Sequence, residues 1–523
     1  MNASEPALVR NPGARADRKF VPLAVILLVW AFLYLPHLRS SPPWYGDETI
    51  ALDIAMNLTR GELAFAAQWN TFLTVVYQPI YEGWVALWLL LAGPDIGPAR
   101  IANAILALGI ALVIYLLGRQ TLEASGQDFT GPPVQVPAGW ATGTALGASL
   151  IFLSAISSVL HFRMVMPHNG VAFGVTLAMM AACLKAGRSS DTLMGLGNLV
   201  AVGSHPLGVF GALSASIARL GRPGSWFRVA ILPACFFLLL YSWPFAKFGS
   251  WVIADAMAIF ESYGDYAEAN QSNLLSNLYH FFSYDAFHIL GFLGAVFLPL
   301  WPVTRRLWPV SVVFVVLCLA LFTNRSNLPV FYYQAVVLLP SMAFGIAGLL
   351  IFLGSMVAHR LPFAPGGLPV CCGLLAVLSV LPTVWSGSLK NRNDYWATQN
   401  VREVAEVAAW INERLGPDDL VVTNSNLGWL LKCRYANLLQ LTAWHGHRTF
   451  MHEKGTPRER FRHNLDTDQI SYLVLGDIDQ RWGVAQPLVA NTLREQGILE
   501  WPVIWRGPHY LILSNPARKH DTP

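Results

Sequence analysis

Charge is scarce in this sequence. Asp, Glu, Lys and Arg make up 13% of its 523 residues and hydrophobic residues 54%, whereas a typical soluble domain is roughly 25% charged. Such a chain does not hide its apolar surface in one aqueous globule, so the composition reads as an integral membrane protein. Net charge is only +4, too small to argue for nucleic acid, and no basic stripe with interleaved aromatics occurs, so no nucleic-acid partner is expected. Cysteine is sparse and badly placed for pairing. Cys183, Cys235, Cys318, Cys371 and Cys372 lie in apolar runs, and only Cys433 lies in the polar tail. The tail is therefore expected to have no internal disulfide, and no spacing resembles a zinc site. No glycine-rich phosphate loop opens the tail, which argues against a nucleotide site. Internal repeats and low-complexity segments are also missing.

What is present is a series of apolar runs. A span needs about 20 apolar residues, fewer where helices are short or broken. Runs at 20–38, 99–118, 139–160, 170–187, 191–204, 206–219, 226–246, 285–303, 307–323, 334–353 and 367–386 predict eleven transmembrane helices. No small-residue cleavage site follows the first run, so it is expected to be retained. A further run, 79–92, is short and carries Glu82 and two tryptophans. It reads as a helix lying in the interface, because only then do the basic residues sort to one side. That side holds Arg10, Arg15, Arg18, Lys19, Arg119, Lys185, Arg188, Arg219, Arg222, Arg228, Arg305, Arg306 and Arg360. The outer loops keep Arg39, Arg60, Arg100, Arg163, Lys247 and Arg325. The positive-inside rule then places the N-terminus (1–19) in the cytoplasm and the C-terminus outside.

From about residue 390 the texture changes. Charges become frequent, and apolar strands alternate with helical patterns. "VREVAEVAAWINERL" (401–415) and "VAQPLVANTLREQG" (484–497) have apolar residues at helical spacing. "DLVVTN" (419–424) and "ISYLVLGD" (470–477) read as strands, and "WPVIWRG" with "HYLILSN" as a terminal hairpin. The alternation predicts an extracytoplasmic α/β domain over 390–523, following a membrane domain over 20–389.

Three outer loops concentrate the chemistry. The first, 39–98, contains "PPWYGDETIAL" with the adjacent carboxylates Asp47 and Glu48. The second, 161–169, reads "HFRMVMPHN" and offers Arg163 and His168. The third, 247–284, carries Lys247, Asp255, Glu261, Asp265 and Glu268, with Asp285 at its end, and a fourth, 324–333, carries Arg325. Simpler roles exist for each. Asp47 suits the start of a helix, where the dipole favours an acid. Arg163 suits a snorkelling position at a span end.

This arrangement resembles the GT-C superfamily of membrane glycosyltransferases. The nearest branch holds the protein O-mannosyltransferases and the aminoarabinose transferase of lipid A. "YGDE" follows the first span, where that branch has an acidic pair. "QPIYEGWVALW" (78–88) resembles its flat juxtamembrane helix, and "GPARIANAILALGIALVIYLLGR" (97–119) its next span. "NLPVFYYQAVVLLPSMAFGIAGLL" (327–350) resembles a late span. The resemblance implies transfer of a sugar from a polyprenyl-phosphate donor to a glycan, lipid or protein acceptor. It places the reaction, with inversion, at the outer face of the inner membrane. Such a step needs a base for the acceptor hydroxyl, an oxocarbenium-like transition state, and positive charge for the departing phosphate.

On that resemblance Asp47 is the expected base, and Glu48 orients the acceptor or binds a metal. Arg163, His168, Lys247, Arg325, Glu82 and Gln78 are the candidates for donor phosphate and substrate. Two departures stand out. Many relatives have an Asp in the second outer loop where this chain has His168-Asn169, and the transferase's lysine appears here as Gln78. A divalent metal, held by Asp47, Glu48 and His168, therefore stays open. So does the alternative of a polyprenyl-lipid transporter or a non-catalytic binding protein of the same fold.

Overall fold

The computed structural model describes residues 20–43, 46–67, 69, 76–127, 139–257, 274–284, 286–323, 334–357, 366–389, 401–449, 452–476, 479 and 487–518. Each of the eleven apolar runs contains a helix. In order they are Val21–Tyr34, Ile96–Gln127, Trp140–Ser154, Pro167–Cys183, Arg188–Val202, Gly208–Ser216, Pro223–Phe248, Ala286–Phe297, Trp308–Phe322, Leu339–Val357 and Gly367–Trp385. Among the described residues, five helices are long and apolar enough to cross a membrane alone, and one bent pair passes that test together. The count of eleven spans remains an expectation. Trp140–Ser154 is interrupted at Ala155 and resumes as Ile156–His161, a break the apolar run did not signal. The break at His205-Pro206 is local chemistry. Pro206 lacks the N–H a helix needs there, and His205 Nδ1 accepts from the Leu207 N–H at 3.1 Å.

Large apolar side chains point away from the protein. Leu238 and Leu239 are 67% and 66% exposed, and Leu378 is 63% exposed. In water such faces would aggregate; in a bilayer lipid covers them. Between helices the hydrophobic effect is weak, so close backbone approach takes over. A Cβ on Gly174 would lie 2.4 Å from the Ala201 nitrogen, and one on Gly197 2.5 Å from the Ala178 nitrogen. Pro167–Cys183 and Arg188–Val202 thus meet glycine to backbone.

The C-terminal region forms one five-stranded sheet. Its strands are β1 (Leu420–Val422), β2 (Arg434–Ala436), β3 (Ile470–Gly476), β4 (Val503–Arg506) and β5 (Tyr510–Ser514), in the order β2-β1-β3-β5-β4. β1 pairs parallel to β2 and β3, and β5 pairs antiparallel to β3 and β4. Helices Val401–Asn412, Leu438–Trp444 and Pro487–Glu495 accompany it. β2 and Leu438–Trp444 were not visible in the sequence.

The sheet domain does not merely hang from the membrane part. Ala51, Leu52, Ile54 and Ala55 of helix Gly46–Thr59 share one buried cluster with Val404, Val407, Leu427, Trp429 and Tyr435 of the tail. Polar contacts follow the same seam. Thr49 donates to Asn426 Oδ1 at 2.6 Å, the Asn437 N–H donates to the Ala67 carbonyl at 2.8 Å, and Arg460 pairs with Asp255.

Candidate active site

Asp47 and Glu48 open helix Gly46–Thr59. Successive residues on a helix diverge by about 100°, so the two carboxylates leave in different directions. Glu48 turns inward and is fully buried. Its two oxygens accept from Arg100 Nε at 2.9 Å and Arg100 Nη2 at 2.8 Å, and Oε1 also accepts from the Val165 N–H at 2.9 Å. Two parallel charge-assisted bonds of this kind fix both groups. Asp47 remains half-buried at the positive end of the helix dipole.

The two buried arginines also shape the preceding loop. Arg100 Nη1 donates to the carbonyls of Leu38 (3.0 Å) and Pro42 (2.9 Å). Arg163 donates to Ser41 O (3.1 and 2.9 Å), to Leu33 O (2.9 Å) and to Pro36 O. Arg163 therefore caps the first span and sets the path of the chain into Asp47, instead of pointing outward at a ligand. The expectation that it meets the donor phosphate directly has no geometric support here.

The segment 161–169 is tied down by amides. Asn169 Nδ2 donates to Asn103 Oδ1 (2.9 Å), His161 O (3.0 Å) and Met164 O (3.0 Å). Tyr81 donates to the same Asn103 oxygen at 2.9 Å. Asn169 thus joins this loop to the expected interfacial helix, Pro79–Ala92. Beside it, the His168 ring lies against the His205 ring, with centroids 4.3 Å apart. Helix Pro79–Ala92 starts on the His205-Pro206 break: the Ile80 N–H donates to the Gly203 carbonyl at 2.9 Å.

Glu82 lies in the first turn of that helix and is fully buried. Among the described residues neither carboxylate oxygen finds a hydrogen-bond partner. A buried polar group in that condition is costly. Gln78, one turn earlier, is also buried and accepts a hydrogen bond from Tyr241. Lys247 lies 2.7 Å from Glu62 Oε1, with its ammonium 5.4 Å from the Trp243 ring centre. Arg325, Glu261, Asp265, Glu268 and Asp285 lie outside the described residues.

The structure thus brings Glu48 and Arg163 into one scaffold of loop anchors. Gln78, Glu82, His168 and His205 belong to the join between helix Pro79–Ala92 and the broken helix. Asp53 was missed. It lies on the same helix as Asp47, is fully buried, accepts from the Ala67 N–H at 3.0 Å, and takes the hydroxyl of Tyr435 from the sheet domain. Burial pushes its carboxyl up to about 7. The available signal was one acid inside the apolar helical pattern "TIALDIAMNL".

No family profile matches the sequence, and no curated protein matches it significantly. Solved structures do match. ArnT from Cupriavidus metallidurans bound to undecaprenyl phosphate is similar at TM-score 0.59 and 14% identity, over 95% of this chain and 98% of that chain. The chain has the GT-C fold. ArnT in its apo state gives TM-score 0.58 at 14% identity, over 96% and 99% of the two chains. The Archaeoglobus fulgidus oligosaccharyltransferase tethered with an acceptor peptide has TM-score 0.49 and 12% identity, over 90% and 72%. The similarity with ArnT runs through the membrane helices and the sheet domain alike, since almost the full length is covered.

Proposed function

We propose that the chain transfers a sugar from a polyprenyl-phosphate donor to an acceptor at the outer face of the membrane, with inversion. The observation that carries this reading is the full-length similarity to an ArnT structure holding undecaprenyl phosphate. The charge distribution supports the orientation, with the N-terminus in the cytoplasm and the sheet domain outside.

In this reading Asp47 is the base. The acceptor hydroxyl attacks the anomeric carbon while the carbon–oxygen bond to phosphate breaks, and Asp47 takes the hydroxyl proton. The polyprenyl phosphate leaves with the bonding electrons. Glu48, Arg100 and Arg163 act as positioning residues that hold the Asp47 helix and its entry loop. Glu82 supplies two acceptors for sugar hydroxyls, and Gln78 keeps its helix start in place. Lys247 and Arg325 are the cations assigned to the departing phosphate. The Lys247–Glu62 pair is partly exposed, and such pairs are weak enough to be exchanged for a stronger anion.

A metal fits the residues poorly. Among the described residues no cluster of three His, Cys, Asp or Glu side chains could hold one. Glu48 is engaged by Arg100 and Val165, and His168 is packed on His205. The step is therefore derived without one.

Incubation of the full-length protein with polyprenyl-phosphate sugars tests the proposal. Release of polyprenyl phosphate, dependent on an acceptor or on water, is expected with one sugar class. Tight donor binding without turnover for every sugar would instead indicate a lipid-binding or transport protein.

A further inference from the structure

A cavity of about 1110 Å³ opens far from the Asp47 helix. It is lined by Ser125 and Cys183, near the ends of helices Ile96–Gln127 and Pro167–Cys183. Arg100 and His168 stand near the starts of those same helices. At 1.5 Å per residue, Arg100 and Ser125 are about 37 Å apart along the helix. The cavity therefore lies on the opposite side of the helical layer, which the distribution of Arg and Lys assigns to the cytoplasm.

Its walls are basic. Arg219 is buried there and already neutralised: Nε donates to Asp191 at 2.9 Å, and Nη1 and Nη2 reach the carbonyls of Ala182 (3.2 Å) and Ala181 (3.1 Å). It thereby removes the negative end of helix Pro167–Cys183 from the cavity. Lys185, Arg222, Arg305 and Arg306 add four positive charges, and among the described residues no carboxylate lines the cavity. Lys185, Arg222 and Arg305 are exposed. Beside this charge lies an apolar lip, with Leu300 70% and Trp308 38% exposed.

We propose that this cavity binds a phosphate-bearing anion, and that its occupant is the headgroup of an anionic phospholipid from the cytoplasmic leaflet. Basic pockets between membrane helices on that side suit such headgroups. The phosphate sits among Lys185, Arg222, Arg305 and Arg306, while acyl chains run past Leu300 and Trp308. A soluble phosphate would use the charges and leave the lip uncovered, which favours the lipid. The site is independent of sugar transfer at the outer face.

The test uses full-length protein in detergent, titrated with phosphatidylglycerol and with phosphatidylcholine of the same acyl chains, bound lipid being counted by native mass spectrometry. Phosphatidylglycerol is expected to bind more tightly. Lys185→Gln and Arg305→Gln should each weaken it about fivefold and leave phosphatidylcholine unchanged, with melting curves like the wild type. Arg60→Gln, on the outer side, should change neither. Equal binding of the two lipids would overturn the proposal, as would variants that bind phosphatidylglycerol normally. If millimolar inorganic phosphate displaces phosphatidylglycerol completely and stabilises the protein as well as the lipid does, the lipid assignment fails and the site belongs to a soluble phosphate.

Discussion

Glu48 and Arg100 form a buried two-bond pair, at 2.9 and 2.8 Å, with both side chains inaccessible to solvent. The pair links helix Gly46–Thr59 to the helix that starts at Ile96, and Val165 adds the segment 161–169 to the same carboxylate. Removing one partner leaves an uncompensated buried charge. Glu48→Ala is therefore expected to destabilise by about 3–5 kcal/mol, and Glu48→Ala combined with Arg100→Met to recover much of that loss. Thermal unfolding in detergent for the two single variants and the double variant checks this. Additive losses would contradict the coupling.

Asp53 and Tyr435 join helix Gly46–Thr59 to the sheet domain. Burial holds the Asp53 carboxyl up at about 7, and that of Asp479 in the tail likewise. Both are protonated more readily folded than unfolded. Their contribution to stability is complete below the ordinary carboxylate range near pH 4 and disappears as pH rises through about 7. His463, held down at about 4 by burial, acts in the opposite sense and only below its ordinary value of 6.5. The two carboxyls outweigh the one imidazole, so the melting temperature is expected to fall from about pH 4 to pH 7 and to level off above. Asp53→Asn should flatten that fall, and a slope unchanged by Asp53→Asn would show that the carboxyl does not titrate there.

Gly174 faces the backbone of Ala201 with no room for a side chain. Gly174→Leu should separate the two helices and sharply lower the yield of monodisperse protein, while Gly221→Ala, where a Cβ meets nothing within 4 Å, should be neutral. Size-exclusion profiles of the two variants decide it.

Lys247 sits in a partly exposed pair, so its removal should cost within about 0.5 kcal/mol of stability. If it receives the departing phosphate, Lys247→Gln lowers turnover about tenfold or more, and Lys247→Arg restores part of it. Full activity in Lys247→Gln would move that role to another cation.

Much of the fold was legible because membrane helices and buried strands are long apolar runs, and their pattern is local. The helix Pro79–Ala92 and the break at His205-Pro206 were readable for the same reason, through length and a missing donor. β2, three residues long, has no pattern to read. The buried anchoring of Glu48 was not legible, because the groups that hold it come from elsewhere: Arg100 is 52 positions away and Val165 117. Arg163 resembled a phosphate ligand for the same reason, its carbonyl partners being 122 to 130 positions back along the chain. The contact of Asp53 with Tyr435 spans 382 positions, so the sheet domain's grip on helix Gly46–Thr59 was invisible.

The most direct test of the account compares wild type with Asp47→Asn for transfer or hydrolysis of labelled sugar from polyprenyl-phosphate donors, with melting curves recorded in parallel. The account predicts turnover in the wild type and a loss of about 10²–10⁴-fold in Asp47→Asn, with stability unchanged. Equal turnover in both proteins would contradict Asp47 as the base.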